Sequence, residues 1–129
     1  MKQDLTIKKV RIEDNSVVIK KYIKGIEGGR TLDVTDFSAD VISAGHVIIT
    51  DGNGNYKPMP IADNAYATLP TSWKYAGILY SSVLKEKAAA AIMTWGVVNE
   101  EALPFGIADI KSAFIAACPH IEFTKDEEA

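Results

Sequence analysis

Residues 41–61 read VISAGHVIITDGNGNYKPMPI, and this stretch decides the fold. Val41 to Thr50 is dense in β-branched side chains, the composition of a strand, with Gly45 as a bulge or bend. The cluster Asp51-Gly52-Asn53-Gly54-Asn55 tolerates positive φ angles and predicts a hairpin reversal. Tyr56 to Ile61 is then the return strand. Pro58 and Pro60 remove two ladder donors from it, which suits an edge or an irregular strand better than a central one.

Working outward, the same periodicity recurs on both sides. Leu5 to Ile12 and Ser16 to Ile23 predict two strands joined by a turn at Glu13-Asp14-Asn15, and glycines at 25, 28 and 29 interrupt the pattern before Leu32 and Val34. On the other side, Ala62 to Lys74 contains Pro70 and small polar residues and reads as a surface loop pinned by Tyr66, Leu69 and Trp73. Tyr75 to Val83 is a further strand. Lys85 to Met93 mixes helix formers with a run that turns β-branched from Ile92, and strand is assigned from about Ala89, with Gly96 as a bulge. Asn99 to Pro104 is a loop. From Ile107 to Ala117, Ile107, Ile110, Ala113, Phe114 and Ala117 recur at helical spacing, with Asp109 in the first turn and Pro119 blocking continuation. Ile121 and Phe123 make a last strand, and Lys125 to Glu128 forms a frayed tail. The expected fold is mainly β with one short helix, a small β-barrel or sandwich-like unit with an N-terminal β arm or hairpin.

With 129 residues, 47% of them hydrophobic, the chain suffices for one core. The formal charge of -3, with lysines scattered apart from the Lys8-Lys9 and Lys20-Lys21 pairs, gives no footprint for nucleic acid. No apolar run approaches a membrane span, and no apolar signal core follows Met1, so synthesis in the cytosol and no membrane partner are expected. Cys118 is the single cysteine, which fits a reducing compartment and forbids an intrachain disulfide.

Chemistry-bearing constellations are sparse. His46 and His120 are the available bases near neutral pH, and Cys118 lies two residues from His120, but a thiol ending an apolar helix reads as structural. Asp51-Gly52-Asn53-Gly54-Asn55 begins like a calcium loop, yet Tyr56 stands where glycine is needed and Ala62 where a bidentate glutamate is needed, so a plain turn is expected. Glu100 and Glu101, as neighbours, diverge into solvent. Of Trp73, Tyr75, Tyr80 and Trp95, at least two are expected in the core, and any exposed one points to an interface. The expectation is a protein without catalytic, cofactor or metal residues.

Taken in order, Ser43-Ala44-Gly45-His46-Val47-Ile48, a Gly-Asn turn, Tyr56-Lys57-Pro58, Ala76-Gly77-Ile78-Leu79, then Gly96-Val97-Val98-Asn99-Glu100-Glu101-Ala102-Leu103-Pro104, a short helix and Ile121 to Phe123 form a recognisable series. It resembles the lambda-like head decoration proteins of tailed bacteriophages. The resemblance covers about two thirds of the chain. It implies a phage or prophage structural protein that assembles as a homotrimer on the outer capsid surface of the virion, clamps neighbouring copies of the major capsid protein and catalyses nothing. Residues 1–40 form the arm or hairpin segment and 41–129 the head-decoration-like domain. The first 40 residues depart from the short Ser/Thr/Gly-rich arm of that family, since they carry enough Val and Ile to form strands. The competing readings are a virion-surface fibre, receptor-binding or glycan-binding module using Trp73, and a small enzyme centred on Cys118 and His120.

Overall fold

A computed structural model describes residues 18–35 and 37–124. The expected strand at Leu5 to Ile12, the turn at Glu13-Asp14-Asn15 and the tail from Lys125 lie outside the described residues. The strands are β1 (Ile19–Gly25), β2 (Arg30–Thr31), β3 (Val41–Ile42), β4 (Val47–Thr50), β5 (Tyr56–Pro58), β6 (Ile61–Ala62), β7 (Ala65–Tyr66), β8 (Lys74–Leu79), β9 (Val83–Leu84), β10 (Ala89–Ala90), β11 (Ile92–Asn99) and β12 (Ile121–Thr124). A single 3-10 turn (Glu100–Ala102) and helix α1 (Lys111–Ala117) complete the described residues. Across the described residues the protein is mainly β, with the one helix α1, and the sheets formed by those residues do not close into a barrel.

The six-stranded sheet runs β1-β11-β8-β4-β5, with β12 also paired to β11. β4 and β5 form the antiparallel hairpin expected at Asp51 to Asn55, with Ile48 opposite Pro58 and Thr50 opposite Tyr56. β5 is an end strand of this order, as its proline requires. β12 pairs in parallel with β11, Gly96 opposite Ile121 and Asn99 opposite Thr124, so α1 serves as the crossover between two parallel neighbours. β1 joins the same sheet by antiparallel pairing with β11.

β4 shows why the sheet is central. Its Val47 and Ile49 belong to one apolar cluster with Met59, Ile78, Met93, Phe114 and Ile121, while Ile48 belongs to another with Leu32, Ile42, Leu79 and Ile92. A strand buried on both faces needs an unbroken apolar run, and Val-Ile-Ile supplies it. Helix α1 covers the first face through Phe114, which is fully buried. The second face meets residues of the two short ribbons β2–β10 and β3–β9.

Four expectations are corrected. Val41 to Thr50 is two strands in two sheets, because the chain turns at Ser43 to His46. Gly45 has φ +93 there, and a Cβ on it would collide with Val18, Leu103 and Pro104. Gly96 is not the bulged residue: it pairs with Tyr22 beside one of three register shifts between β1 and β11, and the extra residue at that shift is Ile23 on β1. Gly96 is required instead by close approach, since the Lys21 carbonyl and the Met93 side chain occupy the space of a Cβ. The helix is shorter than Ile107 to Ala117; Ile110 caps it without a side-chain hydrogen bond, and Asp109 precedes its first turn. Finally, the loop from Ala62 to Lys74 contains part of a hairpin. Asp63 and Asn64, at φ 52 and 63, turn β6 directly into β7, the conformation of a tight two-residue reversal.

Candidate interaction surfaces

The groups that a catalytic reading would need contact other partners, not each other, in the interactions found among the described residues. Cys118 caps the C-terminal end of α1, where its N–H donates to the Phe114 carbonyl, and its thiol points at the Tyr75 carbonyl at 3.8 Å. Burial pushes this thiol up to about 11, so it is protonated at neutral pH and a poor nucleophile. His120 is exposed and its ring lies beside Trp95, centroids 5.0 Å apart at 32°. No hydrogen bond links the thiol to this imidazole among the described residues.

His46 departs from its expected role as a base. It is 1% exposed, and its Nε2 sits 2.9 Å from the Met59 carbonyl. A carbonyl only accepts, so Nε2 carries the proton and Nδ1 is bare, buried and without a hydrogen-bond partner among the described residues. Phe37, Tyr66 and Phe105 surround the ring in edge-to-face contacts with centroids 5.3–5.6 Å away. Burial in this cage lowers the imidazole from 6.5 to about 4, against the smaller opposite pull of its bond to Met59. The ring is a neutral packing element that fixes the turn after Gly45. The cage is built from residues distant in sequence, and no local pattern announces it.

The acidic candidates resolve in the same direction. Glu100 pairs with Lys111 at 2.7 Å, whereas Glu101 is exposed and its N–H donates to Asn99 Oδ1. In the hairpin turn, Asp51 Oδ1 accepts from Asn53 N and Asn55 N, and Oδ2 accepts from Asn55 Nδ2. These bonds, the side chain of Asn55 first, hold the Asp51 carboxyl below its usual range and commit its oxygens to the turn. Among the described residues no group of three or more His, Cys, Asp or Glu side chains is placed to hold a metal, and no helix is long and apolar enough to cross a membrane.

The aromatic residues divide. Trp73 and Tyr75 pack against the core, Tyr75 edge-on to Phe114. Lys57 places its ammonium 4.4 Å from the Trp73 ring centre, so that ring already has a cation on its face. Tyr80 and Trp95 are exposed, as are Tyr22 and Ile23 on β1. Tyr22 and Tyr80 touch, with centroids 4.6 Å apart. Trp95 stands between Lys24, its partner on β1, and His120. At another site Val41 and Leu84 face each other across the β3–β9 ribbon, both exposed by more than two fifths. Tyr22 and Val41 were not singled out from the sequence, although Tyr22 lies in a run otherwise marked by lysines.

Comparison with known proteins adds no relative: no protein-family model, curated protein or solved structure matches the chain.

Proposed function

We propose that this chain is a structural virion protein of the head-decoration type, which binds the outside of a tailed-phage capsid as a homotrimer and stabilises the expanded head. The observation that carries the reading is the distribution of side chains. The potentially reactive thiol and one of the two imidazoles are buried and immobilised, while Tyr22, Ile23, Tyr80 and Trp95 on the sheet, with Val41 and Leu84 on the ribbon, are left in solvent. Exposed aromatics that touch in pairs, as Tyr22 and Tyr80 do, are the residue type enriched at protein contact surfaces. The reading also rests on the series from Val41 to Phe123 that resembles decoration proteins.

The mechanism is binding alone. A protein that binds the expanded shell and not its precursor stabilises that shell by its binding free energy, and three copies about one axis multiply the effect through avidity. The glycan-binding alternative assigned Trp73 to the sugar; that ring is half-buried and faced by Lys57, which favours the assembly reading.

Light scattering on the full chain tests the proposal, together with cosedimentation on expanded and unexpanded phage heads. A solution mass near three chains, or trimers formed on expanded heads only, is the expected result. A strict monomer that sediments with neither form of head overturns it.

A further inference from the structure

The turn between β4 and β5 carries a chemical property separate from assembly. We propose that Asn53 and Gly54 form a spontaneous modification site, at which the Asn53 side chain is lost as ammonia and an aspartyl or isoaspartyl residue takes its place at the hairpin tip. The reaction needs a main-chain amide free to attack the neighbouring side chain. Among the described residues the Gly54 N–H donates to no acceptor and the Asn53 carboxamide has no partner, although the amides of Gly52, Asn53 and Asn55 around them are all bonded. Both residues are exposed, and the space where a Cβ on Gly54 would stand is open. Glycine places no side chain in the path of the attack and crosses backbone conformations at little cost.

The step balances without an oxidant or reductant. Solvent base removes the Gly54 amide proton, and the nitrogen attacks Cγ of Asn53. The N–Cγ bond forms, the Cγ–Nδ2 bond breaks, and Nδ2 takes a proton and leaves as ammonia. Water then opens the five-membered imide, either at Cγ to give aspartate or at the main-chain carbonyl to give isoaspartate.

The other described asparagines are internal controls, each restrained differently. Asn55 donates its carboxamide to Asp51 and precedes Tyr56 in a strand. Asn64 precedes Ala65, whose Cβ is present and whose backbone is paired with Ala62. Asn99 is fully buried, with its Oδ1 accepting from Glu101. The product adds one negative charge to the formal -3. In its isoaspartyl form it also inserts a main-chain carbon into the turn that Asp51 stitches together, so the β4–β5 tip changes with the age of the protein.

The test is incubation of the full-length folded chain at mildly alkaline pH, followed by peptide mass spectrometry, isoaspartate labelling and ammonia measurement. The Asn53 peptide is expected to gain about one dalton, as OH replaces NH2. It should do so well ahead of the peptides holding Asn64 and Asn99, and Asn55 should stay intact within it by fragment-ion sequencing. Asn53→Gln should fold normally and lose most of the early ammonia, and Gly54→Ala should slow the reaction severalfold. The proposal is overturned if Asn53 converts no faster than Asn64. It is equally overturned if Asn53 converts readily in urea and not in the folded protein, since the turn would then be protective.

Discussion

Acidification tests the caged imidazole most directly. Unfolded, His46 takes up a proton near 6.5; folded, it resists until about 4, because the proton would have to enter an aromatic enclosure at a nitrogen with no acceptor. Its folded value is depressed, so the unfolded chain binds more protons and stability must fall as pH falls. The gap between 6.5 and about 4, at ~1.4 kcal/mol for each pH unit, corresponds to about 3 kcal/mol. This contribution is complete above 6.5, declines through the interval and is gone below about 4, where both states are protonated. Asp33 and Asp51 are also held low, by hydrogen bonds to Thr35 and Asn55 first, so their losses set in as pH falls toward 3.8, at the acid end of the range, and are shared by the His46→Phe variant. Urea unfolding followed by the fluorescence of Trp73 and Trp95, repeated from pH 7.5 to 3.5, measures the slope. His46→Phe, which suits the cage but gives up the bond to Met59 at a cost of about 1 kcal/mol, should flatten it. Parallel pH dependence in both proteins, or the His46 imidazole resonance, assigned by its loss in His46→Phe, titrating near 6.5 in the folded state, would refute the reasoning.

Three further outcomes follow from packing. Phe114→Ala removes the one fully buried side chain of α1 and should cost about 3–5 kcal/mol in urea unfolding, detaching the helix from β8. Gly45→Ala must hold φ near +93 and crowd Val18, Leu103 and Pro104, so a thermal midpoint lowered by the equivalent of at least ~1–3 kcal/mol is expected. Cys118 should react with a maleimide slowly in the native protein and at once in urea, since burial keeps it in the thiol form. Rapid native labelling would mean that the end of α1 opens readily.

How much of this was legible depends on whether the signal was local. The hairpin at Asp51 to Asn55 and the edge position of Pro58 followed from neighbouring residues, and both are found; the strand from about Ala89 is found as two, because Ala89–Ala90 pairs with β2 and only Ile92–Asn99 enters the large sheet. The β6–β7 hairpin was legible but outweighed: Asp63-Asn64 is a turn pair, yet Pro70 and the small residues around it favoured an unbroken loop. The division of Val41 to Thr50 was half legible, since Gly45 announced a departure without saying that the strand ends there. The parallel placement of β12 and the enclosure of His46 were not legible. Each depends on partners dozens of residues away, and His46 read alone is simply a group with a useful pKa. Exposure of Tyr22 and Trp95 was equally hidden, because strand periodicity assigns faces only when the register is regular, and β1 slips three times against β11.

The double burial of β4 has a consequence for how the molecule comes apart. Successive residues of one short strand anchor opposite layers, so neither the helix side nor the ribbon side has an interior of its own to fall back on. Loosening either one strips neighbours from the backbone both depend on. Amides of Val47 to Ile49 should therefore exchange with solvent only through global opening, as a shared keel between two halves that stand or fail together.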